Sequence, residues 1–257
     1  MNLSIIPYKV RIPTWIKNYA VANNMESLVI GISGGVDSSV VSTLCAETGL
    51  PVHAVSMPIR QIKEQNDLSQ DHGQWLAMKY KNVTHHTILL DSLFNSFVQS
   101  MPGSCQSEHA YANSKSRLRM VTLYQIASSH KGLVVGTGNK VEDFGVGFYT
   151  KYGDGGVDIS PIGDLLKTEV WDLAKDLNIL QTIIDAPPTD GLWEDGRTDK
   201  DQLGGLTYED MERAMDLDEK GAIAIGSDQD LLKKYHEVRK LNLHKMSPIP
   251  IYNKNNN

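Results

Sequence analysis

The sequence predicts an α/β protein, a doubly wound parallel sheet flanked by helices. Three observations carry this. Four apolar runs of strand length, at 28–32, 52–57, 86–90 and 133–136, alternate with stretches of helical spacing. The first run ends in Ser33-Gly34-Gly35 and passes straight into a helix. The last ends in Gly136-Thr137-Gly138-Asn139. Ligands of open parallel sheets bind beyond the carboxyl ends of the strands, so both glycine-bearing loops are expected to face one ligand.

Each element follows from its residues. Leu28-Val29-Ile30-Gly31-Ile32 has no polar alternation, as expected for a strand buried on both faces. Helical spacing follows at 38–47, where Cys45 reads as a small buried hydrophobe. The strand at 52–57 leads to a helix at 68–80, the strand at 86–90 and a helix at 114–130. That last helix carries Leu118, Val121, Leu123 and Ile126, an apolar surface wide enough for core and partner at once. His85 and His86 are neighbours on a strand and are expected to face opposite ways. Beyond about residue 145 the pattern changes. Residues 149–156 are rich in glycine, 167–177 read as an amphipathic helix, and 187–205 are rich in Pro, Gly and Asp. A loop that long in a compact domain is usually functional, and it is expected to close over a bound nucleotide. Helices resume at 208–215 and 228–241, and a disordered tail is expected at 253–257.

The 257 residues suit one unit, 1–257, with a sheet core at 25–145 and a loop-rich, helical part at 146–250 that completes the site. Twenty-five basic against 31 acidic residues give a net charge of -6, which argues against a nucleic-acid partner. No run approaches a membrane span and no signal peptide is legible, so a cytoplasmic location and no membrane partner are expected. Two cysteines outside any C-x-x-C pair, and no H-E-x-x-H spacing, offer no zinc site.

The Ser-Gly-Gly turn is the strongest chemical signal. Its freed N–H groups and the following helix N-terminus form a cradle for phosphate. It is not a Walker loop, because Asp37 stands where that motif needs a Lys-Ser/Thr pair. A carboxylate beside a phosphate cradle makes sense when Mg²⁺ lies between them. The string Ser33-Gly34-Gly35-Val36-Asp37-Ser38 resembles the SGGxDS loop of the ATP pyrophosphatases, which split ATP between the α- and β-phosphates. Further strings sharpen the resemblance: the segment from Asn113 through Arg117 to Arg119, Gly136-Thr137, the segment from Phe148 to Asp158, Lys167, Pro188-Thr189-Asp190 and His244-Lys245. Together they look like the ammonia-dependent NAD synthetases, over roughly residues 28 to 250. Lys151-Tyr152-Gly153-Asp154-Gly155-Gly156 is the most diagnostic.

The resemblance implies a Rossmann-like ATP pyrophosphatase fold and a set of roles. The substrates would be ATP, deamido-NAD and ammonia. ATP would lie on Gly31, Ile32, Ser33, Gly34, Gly35, Val36, Asp37 and Ser38, with Thr137, Lys167 and Thr189 on its phosphates and Arg60 over its adenine. Asp37 and Glu142 would hold Mg²⁺, with Gly138-Asn139-Lys140-Val141 replacing the commoner Asp-His-Ala-Ala before Glu142. Deamido-NAD would meet Arg117, Lys151, Asp158, His244 and Lys245. Arg117 and Arg119 cannot share one helix face, and the resemblance favours Arg117. Lys167 opens a helix, where a cation is unfavourable for the dipole, a violation expected where function overrides stability. Asp190 is the expected receiver of ammonium. The catalytic set is therefore Asp37, Lys151, Lys167, Thr189 and Asp190, in a homodimer with the dinucleotide at its interface.

Two rival classes are weighed beside this. One is another adenylating enzyme with the same loop, a GMP-forming amidotransferase or a tRNA-thiolating enzyme. The chain shows neither the reactive cysteine pair nor the basic surface that thiolation requires, and no glutaminase segment is legible. The other is a non-catalytic nucleotide-binding module, which Asp37, Lys151, Lys167 and Thr189 argue against.

Overall fold

Four parallel strands form the sheet in the order β3-β2-β1-β4. They are β1 (Ser27–Gly31), β2 (Val52–Ser56), β3 (Val83–Thr87) and β4 (Gly132–Val134). The computed structural model describes residues 7–189, 191–193, 195, 197–221 and 224–254. Helices α1 (Tyr8–Ala22), α2 (Val36–Glu47), α3 (Lys63–Lys79), α4 (Asp91–Ser100) and α5 (Glu108–Ser129) connect or flank the strands. A π-helical segment, Lys140–Val146, follows β4. Then come α6 (Lys167–Asp176), the short α7 (Gln181–Ile184) and α8 (Asp199–Gln202), α9 (Tyr208–Glu219) and α10 (Ser227–Met246).

β1 is central because its residues are apolar on both sides. Leu28 and Ile30 face a core shared with α1, α2 and α6, while Val29 joins Val55, Phe94 and Val134 on the other face. Each such side chain, fully buried, stabilises the fold by ~1.5–3 kcal/mol. A third cluster, around Val146, Met211, Met215 and Tyr235, fastens α9 and α10 to the π-helical segment. That segment therefore links the sheet to the C-terminal helices.

The third strand lies at Val83–Thr87, not at 86–90. It pairs only with β2, and an edge strand need not be apolar on both sides. The apolar residues after it belong to the turn into α4, where Leu90 packs on Phe94 and Leu89 is exposed. Helices α3 and α5 start five and six residues before the positions that spacing suggests, because their first turns are polar; Ser107 caps α5 through the Ala110 N–H at 3.3 Å. Helices α1 and α4 were not expected. In α1 the buried Ile12, Ile16 and Ala20 keep a four-residue spacing, but Pro13 among them reads in the sequence as a helix breaker. The histidines behave as expected: His85 meets the Ser56 hydroxyl at 2.9 Å, while His86 meets the His53 ring at 3.0 Å.

Candidate active site

The sheet order sets the place of the site. From β1 the chain winds to β2 and β3 on one side, then crosses back to β4 on the other. The loops after β1 and β4 diverge, and a crevice opens between them. A cavity of about 640 Å³ occupies it, a size suited to a nucleotide. Its walls include all of residues 31–38, then Gly136, Thr137 and Gly138.

The first loop is built by close approach. Gly34 sits at φ +91°, and a Cβ there would lie 2.8 Å from the Gln65 carbonyl oxygen and 2.9 Å from the Ser69 nitrogen. Only glycine lets α3 come so near. The Ser69 hydroxyl donates to the Ile32 carbonyl at 2.8 Å, fixing that contact. Inside the loop the Ser33 N–H donates to the Ser38 hydroxyl at 3.2 Å, and the two hydroxyls meet at 3.0 Å. Gly35 is the N-cap of α2, so the positive end of that helix opens into the cavity.

Asp37, in the first turn of α2, makes no capping bond. It points at Lys167 instead. The Lys167 ammonium lies 2.5 Å from Asp37 Oδ2 and 2.9 Å from Glu142 Oε1. Its side chain is only 2% exposed. Asn139 organises both carboxylates. Its Oδ1 accepts from the N–H groups of Val141 and Glu142 at 3.0 Å, and its amide donates to Asp37 Oδ1 at 3.2 Å. The Tyr208 hydroxyl reaches Glu142 Oε1 at 2.7 Å and Asp199 Oδ2 at 2.9 Å, and its ring lies under the Lys167 ammonium, 4.8 Å away. Burial opposes charge on Lys167, but Asp37 and Glu142 outweigh it and raise its pKa. Burial likewise opposes charge on Glu142, but the Lys167 charge and hydrogen bonds hold it below the usual carboxylate range. Burial and the neighbouring Glu142 leave Asp37 raised.

A second acidic pair faces the same cavity. Asp154 accepts the Ser116 hydroxyl at 2.6 Å and the Thr150 N–H at 3.1 Å, yet burial keeps its pKa raised. Asp143 is raised well above its ordinary value by burial, with Asp154, Glu142 and Asp37 adding repulsion. Lys245 lines the cavity nearby and donates to the Tyr149 carbonyl at 2.6 Å.

The expected site residues divide into two groups. The loop residues Gly31, Ile32, Ser33, Gly34, Gly35, Val36, Asp37 and Ser38 line the cavity together with Thr137, Glu142, Lys167, Thr189 and Lys245. The Thr189 hydroxyl donates to the Arg197 carbonyl at 3.1 Å and accepts from Gln65 at 3.4 Å, so Thr189 lies against α3. Arg60, Arg117, Lys151, Asp158 and His244 are not among the lining residues. Arg60 reaches Asn95 at 2.5 Å and packs on Phe94. Arg117 is exposed and touches the Lys151 carbonyl at 3.3 Å, whereas Arg119 lines the cavity and donates to the Met57 carbonyl at 3.0 Å. Asp158 stitches the sheet edge, accepting from the Val134 N–H at 2.8 Å and from Tyr124 at 2.9 Å. Asp190 lies outside the described residues. The sequence reading missed Asn139 as the organiser of the two carboxylates, and also Asp143, Asp154, Asp199 and Tyr208. Asp154 stood inside the most diagnostic string and Asn139 inside the second glycine-bearing loop; Asp143, Asp199 and Tyr208 carry no local signal of their role.

The sheet order, the phosphate loop at the crevice and the buried Lys-Asp-Glu cluster define an ATP pyrophosphatase-type nucleotide enzyme. The NAD synthase family model matches residues 8–248. The NH(3)-dependent NAD(+) synthetase of Thermoplasma acidophilum is 38% identical over 224 residues, 86% of this chain and 88% of its own. That of Mesoplasma florum is 37% identical over 235 residues, 90% of each chain. The structure of NMN synthetase from Francisella tularensis superposes with a TM-score of 0.84 at 30% identity, covering 96% of this chain and 97% of that one. The chain belongs to the NAD synthase family.

Proposed function

We propose that this protein is an ammonia-dependent NAD synthetase, a ligase that turns deamido-NAD, ATP and ammonia into NAD, AMP and pyrophosphate. The observation that carries it is one cavity holding both the Ser33–Ser38 phosphate loop and the Lys167, Asp37 and Glu142 cluster. A carboxylate does not react with ammonia at neutral pH, because its oxygen is a poor leaving group. A nicotinate carboxylate oxygen therefore attacks the α-phosphorus, and the bond to the β-phosphate oxygen breaks. Ammonia then attacks the acyl carbon, a proton is lost from nitrogen, and AMP leaves with the original oxygen.

The loop N–H groups and the α2 N-terminus hold the β- and γ-phosphates, with Lys167 and Thr189 beside them. Asp37 and Glu142 fit Mg²⁺: their side chains are each 16% exposed, and their oxygens converge on one point that already holds a cation, the Lys167 ammonium. Among the described residues no cluster of three or more His, Cys, Asp or Glu side chains could hold a metal. Two carboxylates completed by phosphate oxygens and water are the usual arrangement for Mg²⁺. When bound, the ion neutralises charge on the leaving pyrophosphate. Asp143 and Asp154 line the same cavity as the phosphate loop and are the described carboxyls there that could receive ammonium in their ionised form.

Arg117, Lys151, Asp158 and His244 do not line this protomer's cavity, and a homodimer with the dinucleotide at its interface is the arrangement that would give them a part. A mononucleotide acceptor is the second reading. It is favoured by the likeness to an NMN synthetase. No helix among the described residues is long and apolar enough to cross a membrane. A cytoplasmic location follows from the reading itself, since ATP, Mg²⁺ and ammonia meet there.

The test is purified protein with ATP, Mg²⁺, ammonium and either deamido-NAD or nicotinate mononucleotide, with every product quantified. NAD and AMP in equal amounts support the first reading, and a higher kcat/KM on the mononucleotide supports the second. ADP in place of AMP overturns both. Equal turnover with ammonia-free glutamine overturns ammonia as the nitrogen source.

A further inference from the structure

Two buried carboxylates, Asp37 and Glu142, aim oxygens at one point, and a cation of the protein's own fills it. The Lys167 ammonium stands 2.5 and 2.9 Å from those oxygens. It is held there from three sides. The Tyr208 ring lies 4.8 Å and the Trp171 ring 5.9 Å from the same nitrogen, and Tyr208 pins Glu142 by its hydroxyl. Mg²⁺ would approach carboxylate oxygens to about 2.0–2.1 Å, so ammonium and metal cannot share the point. Glycine loop and helix N-terminus beside it are tuned for phosphate, the one new anion that could draw the ammonium away.

We propose that Lys167 is a stand-in cation that closes the Asp37–Glu142 site until the nucleotide arrives, so that metal enters with ATP and not before it. This rests on Asp37 and Glu142 being the metal ligands. Without nucleotide, Lys167 keeps two buried carboxylates compensated, where an unpaired buried charge would be strongly destabilising. When the ATP phosphates settle on the loop, Lys167 turns to them and releases both carboxylate oxygens. Phosphate oxygens and carboxylates then make up a set that two carboxylates alone do not provide. Lys167 thus positions the phosphates and sets the order of binding with one movement. Its place at the first position of α6, where the helix dipole disfavours it, serves both tasks.

The experiment is a Mn²⁺ titration followed by electron paramagnetic resonance. It uses the native protein with and without α,β-methylene ATP, and Lys167→Met without nucleotide. The native protein should bind Mn²⁺ at least about tenfold more tightly with the analogue than without it. Lys167→Met should bind Mn²⁺ alone at least about tenfold more tightly than the native protein does, and Mn²⁺ should raise its melting temperature more. Native protein that binds Mn²⁺ equally well in both conditions overturns the proposal, as does a folded Lys167→Met with native affinity. Should Lys167→Met fail to fold, Lys167→Gln takes its place in the nucleotide-free titration, with the same tenfold gain expected and native affinity overturning the proposal. Native protein that binds no Mn²⁺ even with the analogue, while the analogue itself binds, overturns the metal-ligand reading and this proposal with it. Absence of Mn²⁺ confined to the nucleotide-free sample removes neither.

Discussion

Alanine at Gly34 tests whether the phosphate loop depends on close approach or only on flexibility. The residue sits at φ +91°, which costs an L-residue roughly 1–2 kcal/mol. The new Cβ would also meet the Gln65 carbonyl oxygen at 2.8 Å and the Ser69 nitrogen at 2.9 Å, both backbone atoms of α3. Backbone gives way less readily than a side-chain end, and overpacking of this kind adds about 1–3 kcal/mol. A loss near 3 kcal/mol is therefore expected, a melting temperature lower by roughly 6–12 °C in a chain of this size. The strain also pushes the loop off α3, so the ATP KM should rise. Gly35 is the control. Its φ is -85°, and a Cβ there meets only the Ser33 hydroxyl, at 3.3 Å. Gly35→Ala should stay within about 1 kcal/mol of native. Thermal melts and ATP titrations of both variants decide. Gly34→Ala with a native melt and native KM, or a Gly35→Ala equally damaged, would refute the packing argument.

Three more outcomes are expected. Asp37→Asn should lower NAD formation by at least roughly a hundredfold with little change in the melt, because an amide is a poor ligand for Mg²⁺; near-native turnover at low Mg²⁺ would remove Asp37 from the metal site. His72 is pulled down to about 4 from 6.5, first by burial and then by His85, and its Nε2 is already used on Ser42 at 2.8 Å. The unfolded chain takes up this proton before the folded one, so stability falls by up to about 3 kcal/mol between pH 6.5 and 4; urea melts should show a shallower fall in His72→Gln, and an unchanged slope would exonerate His72. Lys115, almost fully buried on α5, donates to the Leu192 carbonyl at 3.0 Å, a bond worth about 1.5–3 kcal/mol to the docking of Leu192 on α5; Lys115→Met should speed amide exchange at Gly191–Trp193 and raise the ATP KM, and unchanged exchange would dismiss the clamp.

What could be read in the chain and what could not differ by the range of the interactions involved. The phosphate loop is a local signal, because strand, turn and helix N-terminus are contiguous, and residues 31–38 all reach the cavity as expected. Lys167 was legible for the opposite reason. It breaks a local rule by opening a helix with a cation, and Asp37 and Glu142 on other elements supply the compensation. The edge strand was misplaced by three residues because an apolar run marks burial, and here the burial belongs to the turn into α4. Tyr208 shows the limit most clearly. Its own neighbourhood reads only as a helix start, with Thr207 and Asp210 forming the capping box. Its hydroxyl nonetheless reaches Glu142, sixty-six positions earlier in the chain, because the cluster around Met211 and Tyr235 lays α9 against the π-helical segment. No periodicity in residues 199–215 encodes that contact. Arg117 and Arg119 mark the same boundary: helical geometry required that the two diverge, and only the packing of α5 on β1 and β4 decided that Arg119 enters the cavity. Arg117 instead lies exposed against the Lys151 carbonyl at 3.3 Å, a position that spacing along the helix could not tell from the cavity face.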